Sequence, residues 1–123
     1  MNCNELSLEQ SNELLETIDW LPLGSVVRVD ESEQKVMIIG RIQNDANNPE
    51  NKFEYSAVLY PQGLYNPENN YLFNFNQIKQ IYFLGYSSED NKIWEKNMSE
   101  YVKENNIIFF DYEKMKEEQS ENK

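Results

Sequence analysis

The run Leu21-Pro22-Leu23-Gly24-Ser25-Val26-Val27, followed by Val36-Met37-Ile38-Ile39-Gly40-Arg41, constrains the fold of this chain more than any other feature. Pro22 fixes its own φ, lacks an N–H and disfavours helix at Leu21, so any helix upstream ends there and an extended segment begins. Between the two apolar runs lies Asp30-Glu31-Ser32-Glu33-Gln34, turn chemistry that closes an antiparallel hairpin. The pattern predicts strands over 25–30 and 35–43. The second is apolar on both faces, with Val36, Ile38 and Ile42 alternating with Met37 and Ile39, as in a strand at the centre of a sheet.

Ser7 and Gln10 have the spacing of a capping box, and Leu8, Leu14, Leu15 and Ile18 recur with a helical period, so residues 8–19 read as a short amphipathic helix. Trp20 and Leu21 continue its contact into the hairpin. Residues 53–60 alternate, Phe53, Tyr55, Ala57 and Leu59 facing inward and Glu54 and Ser56 facing water. Pro61-Gln62-Gly63 and Asn66-Pro67-Glu68-Asn69-Asn70 bracket a long turn with Leu64 and Tyr65 tucked beneath it. Asn74 or Asn76 caps one helical turn through Lys79, and 80–86 is a further strand. Ser87 and Asp90 form a second capping box, opening a helix to about residue 104 whose inner stripe is Trp94, Met98, Tyr101 and Val102. The expected fold is a single α+β domain over 1–106, an antiparallel sheet of about four or five strands flanked by N- and C-terminal helices. A small β-barrel with helical caps is the alternative.

Composition narrows the chemistry. Twenty-two acidic against 11 basic residues give a net charge of −11, which disfavours nucleic acid and anionic membranes as partners. There is no histidine, the commonest metal ligand and the side chain best suited to proton transfer near neutrality. The carboxylates are scattered over turns, helix faces and the tail, and the four glycines are too dispersed to cradle a phosphate. Residues 45–50 echo a calcium loop, but Pro49 stands where a ligand is needed. Cys3, the only cysteine, rules out an intrachain disulfide and a cysteine-based zinc site. No catalytic residue, cofactor or metal is expected, and hence no enzyme. The start of the sequence has no basic-then-apolar leader and the longest apolar runs, 36–39 and 107–110, are far too short to cross a bilayer, which predicts a cytoplasmic protein.

Five motifs occur in the order and spacing of a known small family: residues 21–27, Met37-Ile38-Ile39-Gly40-Arg41-Ile42-Gln43, Tyr60-Pro61-Gln62-Gly63-Leu64, Phe73-Asn74-Phe75 and Ile81-Tyr82-Phe83-Leu84-Gly85-Tyr86. Over about 20–86 the chain resembles the domain-of-unknown-function family 4176 of Gram-positive bacteria, which accompanies LXG toxins and type VIIb secretion. The resemblance implies a non-enzymatic accessory protein, a cytoplasmic chaperone or targeting factor that binds the N-terminal helical domain of an LXG toxin before export. An immunity protein neutralising a toxin domain is the alternative. The family supplies no catalytic residues to carry over.

Beyond Asn105-Asn106 comes an apolar segment and then a charged tail, 107–123, outside the family-like region. Ile107, Ile108, Phe109 and Phe110, with Tyr112, are the candidate partner-binding residues, since an exposed β-prone run pairs readily with another chain. The competing reading is that the run adds to the domain's own sheet or packs over the second helix.

Overall fold

A computed structural model describes residues 5–64, 66 and 70–111. The element order is α1 (Leu8–Thr17), β1 (Val26–Val29), β2 (Lys35–Asn44), β3 (Lys52–Leu59), β4 (Tyr71–Phe73), a 3-10 turn (Phe75–Gln77), β5 (Ile78–Phe83) and α2 (Glu89–Glu104). The strands form one antiparallel sheet in the order β4-β3-β2-β1-β5, the expected α+β architecture with an open sheet in place of a closed barrel. β2 is the central strand, as its two apolar faces predict. The fifth strand, β4, falls on Tyr71–Phe73, to which the sequence pattern assigns no element.

The sheet is strongly curled. β4 and β5 stand at opposite ends of the strand order, yet only Asn74–Gln77 separates them along the chain. In a flat sheet four inter-strand spacings would hold the outer strands roughly 19 Å apart. The link reaches at most about 18 Å when fully extended, and much of it is coiled into a 3-10 turn. Within three residues the turn touches both sides of the sheet. The Phe75 N–H donates to Glu54 Oε1 of β3 at 3.0 Å, and Gln77 C=O accepts from Asp30 N–H, just past β1, at 2.8 Å. Register irregularities between Ile38 and Gly40, Val26 and Val27, and Arg28 and Val29 supply the bending, since an unmatched residue kinks its strand.

Cross-strand partners share a face, so Val27, Val36, Ile38, Ala57, Tyr55, Phe73 and Ile81 line the concave side and form the core. α1 packs Leu14, Leu15 and Ile18 against them. Its start also closes the outer edge of β5, where Ser11 Oγ accepts from Ile81 N–H at 2.8 Å and Leu6 N–H donates to Tyr82 C=O at 2.7 Å. Those edge groups would otherwise invite pairing with another chain. The capping box at Ser7 and Gln10 is present. The second helix begins one residue later than expected, with Ser88 as its cap accepting from Asn91 N–H. Ser56 and Val58 are buried on the convex side as well, so β3 is less wetted than its alternation suggests.

The family-like glycines have structural work. Gly85 lies so close to the Leu21–Val27 run that a Cβ there would strike the Leu23 carbonyl oxygen and stand 2.9 Å from Ser25 N. Gly24 adopts φ +88°, and Ser25 Oγ accepts from Gly85 N–H at 2.9 Å. Because backbone hems Gly85 in, Gly85→Ala is expected to lower stability by about 1–3 kcal/mol, seen as a lower urea midpoint. An unchanged midpoint would contradict this packing.

Candidate functional site

Toward the β1–β2 turn, no element among the described residues covers the concave face. The opening is a cleft of about 700 Å³ whose floor is Val29, Val36, Leu59 and Phe73, with Tyr71 and Phe110 at its sides. Val36 and Phe73 are buried, Val29, Leu59 and Phe110 are half-buried, and Tyr71 is 48% exposed. Its rim carries Asp30, Glu31 and Asp111, against Lys79.

The cover ends there because of how the two helices are placed. α1 lies along β5, while α2 reaches the core through Trp20 at the other end of the face. The Trp20 ring sits edge-on to Tyr55 and to Trp94, with centroids 6.0 and 5.9 Å away, and its indole N–H donates to Ser99 Oγ at 2.8 Å. Arg41 stacks on Trp94, 3.8 Å from the ring centroid, and pairs with Glu95 at 3.3 Å. Burial pulls the Arg41 pKa down while the Glu95 carboxylate pushes it back up. This pairing fixes α2, none of whose residues is fully buried. Trp94, Met98 and Val102 are half-buried as their stripe predicts, whereas Tyr101 is exposed.

Among the sequence-derived candidates, Ile107, Phe109 and Phe110 are half-buried and Ile108 is 85% exposed. Tyr112 lies outside the described residues, as does Tyr65; Leu64 is exposed, where the sequence suggested burial. Phe110 returns to the sheet. Its N–H donates to Lys52 C=O at 2.8 Å, its C=O accepts from Asn74 Nδ2 at 2.6 Å, and its ring lies 5.4 Å from that of Phe53. The segment therefore straps the edge of β3 beyond the end of β4 and walls one side of the cleft, without forming a strand. Asn74 is its clamp: buried, it also accepts from Glu54 N–H through Oδ1 and donates its own N–H to Gln77 Oε1. Asn74 is also the cap of the 3-10 turn, as the sequence predicts, whereas the sequence pattern does not mark Val29, Leu59 or Tyr71 as site residues. The shared inward phase of Leu59 with Tyr55 and Ala57 was the available signal.

Asn74, Gln77 and Asp30 beside the cleft are tied into the fold. Asp30 Oδ2 accepts from Gln77 Nε2 at 2.9 Å, tying the β1–β2 turn to the link into β5. Among the described residues, every buried side-chain nitrogen and oxygen has a hydrogen-bond partner. No group of three or more His, Cys, Asp or Glu among them is placed to hold a metal, and no helix is long and apolar enough to cross a membrane. What the opening offers is shape, apolar surface and charge.

A family model described as a domain of unknown function, DUF4176, matches residues 20–93. The chain belongs to the DUF4176 family. Its matched span runs from Trp20, the residue that links the sheet to α2, to within the first turns of that helix. No curated protein and no solved structure matches the chain.

Glu54 offers a direct check of the strap region. Burial raises its pKa, opposed by the Phe75 N–H that it accepts. A carboxyl whose pKa is higher folded than unfolded adds stability below its ordinary value of 4.5, and that contribution is lost as pH rises through the raised folded value. Glu54→Gln keeps the acceptor and removes the buried charge. The variant is expected to unfold at higher urea than the parent at about pH 7, with the difference vanishing toward about pH 4. The opposite order at neutral pH would contradict the burial.

Proposed function

We propose that this DUF4176 protein is a non-enzymatic cytoplasmic accessory factor of type VII secretion that binds the N-terminal helical domain of an LXG toxin and holds it for export. The observation that carries the reading is the cleft that no described element covers: an apolar floor continuous with the core, beside which Gln77 accepts from the Asn74 N–H and donates to Asp30. Such a site is suited to receiving side chains rather than turning over a substrate. The absence of histidine and the scattered carboxylates point the same way. The LXG partner comes from the resemblance to a family that accompanies those toxins. The net charge of −11 keeps the free protein soluble and steers it toward basic surfaces.

The test is co-expression with an LXG toxin encoded beside it, split at the domain junction, followed by pull-down of each half. The N-terminal helical half is expected to be retained and the C-terminal toxic half lost. Capture of the toxic half alone would replace this reading with that of an immunity protein. Capture of neither half would overturn both.

A further inference from the structure

We infer that the cleft seats an amphipathic helix of the partner, one with apolar residues at i, i+3 or i+4, and i+7 on one side and lysine or arginine flanking them. The inference rests on the reading of the protein as a binding factor and names the chemistry its site selects. Three observations carry it.

The first concerns the place the cleft occupies. It lies on the concave face that α1 and Trp20 with α2 cover elsewhere, so its floor is core surface that no element among the described residues covers. A helix fills such a position because its apolar stripe buries the floor while its own backbone groups stay satisfied. Second, the sheet edge beside the cleft does not suit strand addition. β4 offers only the three residues Tyr71–Phe73, and the edge of β3 beyond it is taken by Phe110, whose N–H donates to Lys52 C=O. A partner strand would have almost no ladder to extend, which leaves side-chain docking. Third, the rim is acidic. Asp30, Glu31 and Asp111 surround the apolar floor with Lys79 as the counter-charge, so the flanking positions of the incoming helix are filled best by lysine or arginine.

Tyr71 is the residue to change. It stands at the side of the cleft, half-exposed, and packs opposite Ala57 at the end of β4, so a lysine there opposes a basic ligand without disturbing the core. The probe is a synthetic helical peptide of leucine and lysine with that spacing, labelled for fluorescence anisotropy. Two controls accompany it, the same pattern in leucine and glutamate and a scramble of the leucine–lysine composition. The parent protein is expected to bind the first peptide and neither control. Tyr71→Lys is expected to weaken binding by about tenfold, and Asp30→Asn with Glu31→Gln by several-fold. Glu100→Gln with Glu104→Gln, exposed on α2, is expected to leave it unchanged. Equal binding by the parent and Tyr71→Lys, equal binding of the scramble, or a loss with the α2 substitutions as large as at the rim would overturn the inference. A melting curve for each variant separates loss of binding from loss of fold. The same variants assayed with the toxin halves keep the two readings apart. If Tyr71→Lys still captures the N-terminal half, the partner stands and the seat is wrong. If the parent captures no toxin but binds the leucine–lysine peptide at the rim, the seat stands and the partner is wrong.

Discussion

The hydrogen bond from Leu21 N–H to the Tyr55 hydroxyl, 3.0 Å long and buried, is the joint on which the other placements depend. It fastens the segment entering β1 onto the middle of the concave face, at a point where an unpaired amide would be costly. Burial holds the Tyr55 pKa far above its ordinary value, so the phenol stays neutral as an acceptor there. Leu21 is fully buried beside it, and Trp20 is thereby set edge-on between Tyr55 and Trp94. α2 has no fully buried residue of its own and is positioned through this aromatic chain, with Arg41 on Trp94 and Glu95 closing it.

From that joint follows the asymmetry of the molecule. Aromatic packing holds α2 at one end and aliphatic packing holds α1 along β5, while the short link from β4 to β5 forces the sheet to curl. With the helices placed there, the part of the concave face toward the β1–β2 turn is open among the described residues. Asn74 and Phe110 finish the wall of that opening instead of filling it, since Phe110 packs on Phe53 at the sheet edge and leaves Val29 and Leu59 half-exposed. The cleft is thus a consequence of where the described core stops.

Much of the local structure was legible in the sequence because its causes are local. Pro22, the polar turn 30–34 and the doubly apolar run 36–42 specify the hairpin and put β2 at the centre. The Ser7 box and the Trp94 stripe specify the helices. What escaped was set by distant partners. β4 is three residues between asparagine-rich flanks, too short for alternation to register, and exists because β3 offers it a partner. The curl depends on the strand order, which no local pattern encodes. The role of the run 107–110 is set the same way: its apolar character is legible in the sequence, but Asn74 and Lys52, which hold Phe110, lie far from it in the chain. Tyr71 and Leu59 draw their significance only from facing the same gap.

The central claim, that the protein works through the part of its concave face the helices leave bare, is tested most directly by hydrogen exchange on the full chain with and without the bound toxin half. The account predicts that binding slows exchange in the β1–β2 turn, at β4 and the link to β5, and in the strap ending at Phe110, while α1 and the outer part of α2 exchange as before. Slowing confined to the convex face or to α2, with those three segments unchanged, would contradict it.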